Sequence, residues 1–367
     1  MLVPVVALYA AELGAGVGVA GLIVGLYSII NTPANIVFGR IIDRIGHRLP
    51  LAGGLFGDAV AMLLYIVSAS PLHLALVRAF HGLAGAAAGP ATMSAISGYA
   101  GRDREGRAMG IYGMSIAVAN LVGFGVGGMV FSRLGAGWLF SSAAAVLLVG
   151  VGLSLLLPRP QPRPVGTRRT AAGPGLVVTL LKRPGLAAAY LAIFAQYFTF
   201  GGVVTLLPLL LRGKGLDAFH MGMLLVVFSV VFILGQWPAG LLSDRKGRRL
   251  PLAAGLVLGI MALLLLPWQD GFGAMAAVMA LYGVAFGLLF PSVSALVADY
   301  SRPDERGLAT GVFHALLTAG VAVGAPVVGW AGEALGVETG LAVVPVVMAV
   351  VLVAAVVLLR RAGEKMA

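Results

Sequence analysis

The chain has 367 residues, of which 60% are hydrophobic and 11% charged, and its mean hydropathy is +1.00. That is more apolar surface than a water-soluble core of this size can bury, so a soluble globular domain is excluded and lipid is the expected solvent. A net charge of +11 would point to nucleic acid in a soluble protein, but here the cations sit in alternate loops, and the absence of cysteine excludes disulfides, thiolate metal sites and thiol nucleophiles.

A helix needs about 20 apolar residues to cross the bilayer core. Against that length the chain reads as spans near 2–16, 18–39, 50–69, 72–98, 107–131 and 136–157. A polar, Pro/Arg-rich stretch at 158–183 follows, then spans near 184–211, 219–241, 250–268, 272–299, 307–331 and 337–359. The expected class is an all-α integral membrane protein of 12 transmembrane helices in two six-helix bundles, 1–157 and 184–367, joined by a cytoplasmic linker at 158–183 that reads as a flexible tether. The first span is short beside its counterpart at 184–211, so it reads as N-terminally truncated. A signal peptide fits less well, because no basic flank precedes the apolar run. Small-xxx-small spacings that favour close helix packing recur at Gly14/Gly18, Gly21/Gly25, Gly53/Gly57, Gly123/Gly127 and Gly320/Gly324.

All but four of the 25 lysines and arginines fall in the loops and tail of one side, the exceptions being Arg78, Arg133, Arg212 and Lys214. By the positive-inside rule these basic loops are expected to be cytoplasmic, and the basicity is a topology signal with no nucleic-acid partner behind it.

The most specific feature is an internal repeat. Gly39-Arg-Ile-Ile-Asp43-Arg44-Ile-Gly46-His47-Arg48-Leu49-Pro50 returns as Gly240-Leu-Leu-Ser-Asp244-Arg245-Lys-Gly247-Arg248-Arg249-Leu250-Pro251, an offset of 201 that also maps Pro90 to Pro291, Gly123 to Gly324 and Gly128 to Gly329. An even number of spans per unit makes the repeats parallel, related by an axis along the membrane normal. The motif G-x-x-x-D-R-x-G-H/R-R between helices two and three resembles the signature of the major facilitator superfamily, and here it occurs twice. Asp43 stands where a carboxylate suits the N-terminal end of a neighbouring helix or a cation. The resemblance implies that this neighbour is helix eleven, with Arg44 and Arg245 completing charge networks. Asp299 is a candidate partner for Arg245. The expected gating elements are therefore the two loops, with Gly39, Asp43, Arg44, Gly46, Arg48, Gly240, Asp244, Arg245, Gly247, Arg248, Arg249 and Asp299. The bland alternative is that these arginines only set topology.

Within the spans the informative residues are those that cost energy to place there, roughly 3 kcal/mol or more for a charge at mid-bilayer. Asp58 lies in the middle of helix three, and Arg78 in helix four is followed by His81. Arg78-Ala-Phe-His81-Gly82 resembles the family's helix-four arginine motif associated with proton coupling, with His81 where Gln is common. A carboxyl in low dielectric can bind and release a proton unless a cation such as Arg78 holds it ionised. Asp58, Arg78, His81 and, at the end of helix one, Glu12 are the proton-coupling candidates; the competing reading is a buried ion pair. Tyr27, Asn31 and Asn35 share a face of helix two, and with Asn120, Gln196, Tyr197, Gln236 and His314 they are candidates to line a substrate cavity. Otherwise such residues serve as interhelical hydrogen-bond glue.

Helix five carries Ala119-x-x-x-Gly123-Phe124-x-x-Gly127-Gly128, which resembles the motif of drug:proton antiporters, with Ala119 and Phe124 departing from its Gly and Pro. No G-x-x-x-x-G-K-S/T, H-E-x-x-H or G-x-S-x-G is present, so neither an ATP-driven pump nor a hydrolytic enzyme is indicated. The expected function is secondary active transport by alternating access in a bacterial inner membrane, as proton-coupled efflux. The alternatives are uptake or facilitated diffusion of a sugar, amino acid or organic anion, or a sensor without transport. The expected partners are a small-molecule substrate, protons and the bilayer, with the chain a monomer, its linker and C-terminus cytoplasmic, and no cofactor or metal.

Overall fold

The computed structural model describes residues 5–100, 105–158, 174–302 and 305–364. These form α1 (Val6–Glu12), α2 (Val17–Ile45), α3 (Arg48–Ile66), α4 (Pro71–Ala100), α5 (Glu105–Leu156), α6 (Pro174–Lys182), α7 (Pro184–Gly213), α8 (Ala218–Lys246), α9 (Arg249–Leu265), α10 (Phe272–Tyr300), α11 (Arg306–Leu335), α12 (Val337–Val343) and α13 (Pro345–Glu364). Nine segments among the described residues are long and apolar enough to cross a membrane. One of them, Met114–Leu156, has 43 residues and turns at Gly135 (φ 84°), so it makes two crossings. Helix α4 has the length but carries Arg78 and two histidines. With α4, eleven of the twelve expected crossings are accounted for among the described residues, α12 and α13 forming the last, while α1, with seven residues, is too short to cross.

The repeat is written into the backbone. The positive-φ residues are Gly14, Gly46, Gly135, Gly215, Gly247 and Gly336, three pairs separated by 201. Gly46 (φ 82°) ends α2 and Gly247 (φ 81°) ends α8, where a residue with a Cβ would be strained.

Hydrophobic packing divides the same way. One core gathers residues of α7–α13, including Tyr282, Phe286 and Met348, and the other those of α1–α5, including Tyr65, Phe140 and Ile23. Large apolar side chains such as Trp237, Val149 and Val353 stay exposed, as expected of a surface solvated by lipid. Part of the stretch expected to be a tether is structured: α6 packs on α7, and Leu180 is wholly buried in the second core. Its run Leu176-Val177-Val178-Thr179-Leu180-Leu181 has enough apolar side chain to dock.

The two halves meet along two seams, α2 against α11 and α5 against α8. A Cβ on Gly21 would lie 2.5 Å from the Ala325 carbonyl oxygen and 2.9 Å from Gly329 Cα, and one on Gly222 would lie 2.5 Å from the Phe124 carbonyl oxygen and 3.2 Å from Gly128 Cα. Each residue of the second seam maps onto the first by the same offset of 201. Backbone touches backbone there, and only glycine permits it. Phe124 packs into the core of the opposite half, as do Val204 and Ala325.

These contacts lie toward the side opposite the basic loops. Along the seam the Thr32 hydroxyl donates to Thr318 Oγ1 at 3.0 Å. Beyond it, toward the basic loops, a Cβ on Gly39, Gly240 or Gly311 would meet nothing within 4 Å. The seams are therefore closed on the sparsely charged side and parted on the basic side.

Because overpacking a close contact costs about 1–3 kcal/mol, Gly222→Val should lower the melting temperature in detergent by several degrees. Gly152→Val, at a position with open space around it, should leave it near wild type. Equal melting temperatures would refute backbone contact at the seam.

Candidate functional site

Helices α2, α3 and α4 pack together and bring six of the sequence candidates into one buried cluster. Asp58 projects from the middle of α3 and His81 from α4, with Nε2 of His81 3.7 Å from Asp58 Oδ1 and both side chains 13% exposed. Asp58 Oδ1 has no hydrogen-bond partner among the described residues. Nδ1 of His81 lies 3.1 Å from the Tyr65 hydroxyl. With that O–H donating, the imidazole proton sits on Nε2, toward Asp58.

Arg78, 8% exposed, donates from Nη2 to the Val24 carbonyl oxygen at 3.4 Å and lies 5.1 Å above the Tyr27 ring. The Tyr27 ring in turn meets His81 edge-on at 4.9 Å. Its guanidinium is thus sheltered by a π face and a carbonyl, while Nε finds no partner among the described residues. Asn31 Nδ2 donates to the Gly82 carbonyl oxygen at 3.1 Å, and Asn35 Nδ2 donates to Asn31 Oδ1 at 2.8 Å, so the predicted face of α2 is a continuous polar ladder. Glycine makes the approach possible: a Cβ on Gly82 would lie 2.6 Å from the Tyr27 carbonyl oxygen.

The remaining candidates are dispersed. Glu12 is exposed at the end of α1 and does not join the cluster. Asn120 on α5 and His314 on α11 are exposed, His314 Nδ1 lying 2.9 Å from the Thr310 carbonyl oxygen. Polar groups bare at mid-helix face water-filled space in preference to lipid, and both helices border the parted side of the seams. Gln236 is half-buried. Gln196 is fully buried, and neither its Nε2 nor its Oε1 finds a partner among the described residues. Tyr197 packs against Phe286 (5.9 Å) and Phe200 (6.3 Å).

The gating loops differ from expectation in their partners. Asp299 receives its hydrogen bond from Arg248 Nε at 3.0 Å, where Arg245 was expected. Arg248 also donates to Asp244, so it bridges two carboxylates, and Arg245 stays exposed. The reason is placement: Arg248 precedes α9 past the Gly247 turn, while Arg245 is still on the last turn of α8. The two Asp hydrogen bonds raise the Arg248 guanidinium above its ordinary value. Arg249 donates to the Leu359 carbonyl oxygen at 2.6 Å, and its repeat mate Arg48 donates to that of Leu155, so each pins the end of a neighbouring helix.

Asp43 and Arg44 are exposed, and Asp43 has no hydrogen bond or ion pair among the described residues. At the N-terminus of α11, where Asp43 was expected, stands the N-cap residue Glu305, its carboxylate gripped by both Arg183 Nη atoms at 2.5 and 2.8 Å. The Arg183 guanidinium holds the Glu305 carboxyl below the usual range.

Sequence reasoning missed Tyr65 and the Arg183–Glu305 pair. Tyr65 lies seven residues, two helical turns, from Asp58, and that spacing was the available signal.

The family model of the Major Facilitator Superfamily matches residues 1–268 and 189–366. Among curated proteins the chain is 25% identical to the inner membrane transport protein YajR of Escherichia coli, over 90% of this chain and 73% of that one. It is 25% identical to the multidrug resistance protein MdtG of Dickeya zeae, over 79% and 71%. Among solved structures it resembles a bacterial homolog of the human lysosomal transporter Spinster in an inward-facing, occupied conformation (TM-score 0.84, 14% identity, 98% and 92% covered). It also resembles the nucleoside transporter NupG (TM-score 0.82, 16% identity, 97% and 94% covered).

Because Arg248 joins two carboxylates and Arg245 none among the described residues, Arg248→Ala should cost about 1 kcal/mol of stability, within the range for partly exposed pairs, and Arg245→Ala close to nothing. Chemical or thermal unfolding of the two variants in detergent checks the ranking.

Proposed function

For a chain that belongs to the major facilitator superfamily and is therefore a multi-pass membrane transporter, not an enzyme, we propose proton-coupled export of a small solute by alternating access in a bacterial cytoplasmic membrane. The units that rock are 1–157 and 184–367, joined through 158–183. The basic loops, the linker and the C-terminus are cytoplasmic by the positive-inside rule, which makes the parted side of the seams the cytoplasmic one.

The observation that carries the reading is the Asp58–His81 pair. An ion buried at that depth costs roughly 3 kcal/mol or more, and Asp58 Oδ1 has no hydrogen-bond partner among the described residues to offset it. A proton on Asp58 removes the cost. Exchange of that proton between the two faces, one at a time, couples solute movement to the proton gradient. Tyr65 sets the tautomer of His81, and Arg78, clamped against Tyr27 and Val24, keeps a fixed positive charge beside the exchanging group. Export is favoured over uptake by the small-residue motif of α5 and by the likeness to proteins named for multidrug resistance. The solute occupies the space bordered by Asn120, Gln236 and His314.

Asp43 closes the cytoplasmic side in the other half of the cycle. Exposed and without an ion pair among the described residues, it is available to the opposing half once the basic side shuts.

Two outcomes are expected. In liposomes loaded with a pH-sensitive dye and offered a panel of solutes, wild type should show a solute-dependent proton flux that Asp58→Asn abolishes. Solute movement without proton flux, unchanged in the variant, would leave a facilitator with a structural Asp58. Asp43→Ala should reach normal expression yet transport at least several-fold more slowly, and a normal rate would remove the gating role.

A further inference from the structure

Glu333 sits in the last turn of α11, where the partial negative charge of a helix C-terminus disfavours a carboxylate. Helix α2 begins after Gly16, an N-cap with no side chain, so its first N–H groups have no cap of their own. The two deficits meet across the seam. Glu333 Oε2 accepts from the Gly18 amide at 2.8 Å, and a Cβ on Gly16 would stand 3.1 Å from Glu333 Oε1. Trp330, one turn earlier on α11, lies against Gly18, where a Cβ would come within 2.2 Å of its ring. A carboxylate misplaced on its own helix therefore caps a helix belonging to the other half of the protein.

The second seam carries the counterpart at an offset of 201, with the acid transferred to the other partner. Gly16 corresponds to Asp217, the N-cap of α8, and Glu333 corresponds to Ser132 on α5. The Ser132 hydroxyl donates to Asp217 Oδ2, while Asp217 accepts from the His220 amide at 3.2 Å in a capping box. Burial pushes the Asp217 carboxyl up, but the hydrogen bonds from Ser132 and His220 outweigh it and hold it below its ordinary value.

We propose that Glu333–Gly18 and Ser132–Asp217 are paired latches that hold the sparsely charged side shut in the state seen here, and that they must break for that side to open. The inference rests on the alternating-access reading. Each latch places one carboxylate at the N-terminus of α2 or α8 and joins it to α11 or α5, so rocking the halves apart strips α2 of its cap and Asp217 of its partner across the seam. Gly16 and Gly18 keep their small size because Glu333 and Trp330 fill the space a side chain would need.

The absence of cysteine makes site-directed labelling direct. Val204→Cys, on α7 and buried in the core of the other half, reports opening of the latched side, and Asn120→Cys, exposed near the parted side, reports closure of the other. In nanodiscs, where a membrane-impermeant maleimide reaches both faces, Glu333→Ala should speed labelling at position 204 about five-fold, the upper range for losing a charge at a helix terminus. Labelling at position 120 should slow at the same time. Glu333→Gln, which keeps an acceptor without the charge, should fall between, and Ser132→Ala should act in the same direction as Glu333→Ala. Unchanged rates at both positions in Glu333→Ala and Ser132→Ala would overturn the proposal. Faster labelling at both positions together would do so as well, because that is local unfolding and not a shift between states. Since labelling needs no solute, loss of the latches leaves the transport reading untouched, and a failed transport assay leaves the labelling result intact.

Discussion

Everything else in the structure depends on two places where backbone touches backbone, Gly21 against Gly329 and Gly222 against Gly128. No side chain fits between the helices at either point, so α2 with α11 and α5 with α8 are held at the shortest distance helices allow. The helices run about 40 Å or more, so close approach at one end leaves room for them to part at the other. The open space around Gly39, Gly240 and Gly311 is the geometric counterpart of the glycine contacts, and the polar groups at Asn120 and His314 are exposed because of it.

The pseudo-symmetry that governs the seams does not extend to the chemistry. Asp58, Arg78, His81, Tyr27 and Asn31 correspond by the offset of 201 to Gly259, Met279, Tyr282, Phe228 and Phe232. The backbone contact survives: Gly82 approaches the Tyr27 carbonyl and Gly283 that of Phe228, at 2.6 and 2.7 Å for a Cβ. The same scaffold position thus holds a buried ionisable cluster in one half. In the other it holds an aromatic stack, with Phe228 5.5 Å from Tyr282 and 5.0 Å from Phe286. One half carries the buried ionisable groups, and the other supplies an apolar, π-rich body at the matching positions. Buried ionisable groups cost stability unless compensated, so confining them to one half leaves the other a well-packed core.

How much was legible follows from what each signal encodes. Span positions, the two-fold repeat and the cluster of Asp58, Arg78 and His81 were readable because hydropathy, spacing and rare buried charges are properties of the chain itself. Partners across the fold were not. Asp299, at the basic-side end of its helix, is a candidate partner for Arg245, but the turn at Gly247 decides which arginine points at it. Glycine spacing alone was an uneven guide: Gly21 and Gly25 lie in the seam, whereas Gly53, in an equally good small-xxx-small pair, has open space around it and Gly14 serves a turn. Glu333 went unnoticed as a lone acid at a helix end, although its incompatibility with its own helix dipole was a physical signal in the sequence.

The gating loops show why a duplicated motif need not perform the same role twice. In the second repeat Arg248 bridges Asp244 and Asp299 within one half, so Asp244 is satisfied wherever the other half stands. In the first repeat His47 occupies the position of Arg248 and Gly98 that of Asp299, so the Arg248–Asp299 pair does not recur at the equivalent positions. Asp43 has no ion pair among the described residues and stands at the mouth of the parted side. A carboxylate satisfied inside its own half gains nothing from closure, whereas one left exposed gains a helix terminus or a cation when the halves meet. The asymmetry therefore leaves Asp43 exposed in the first repeat and braces Asp244 within its own half in the second, though the two loops share a motif.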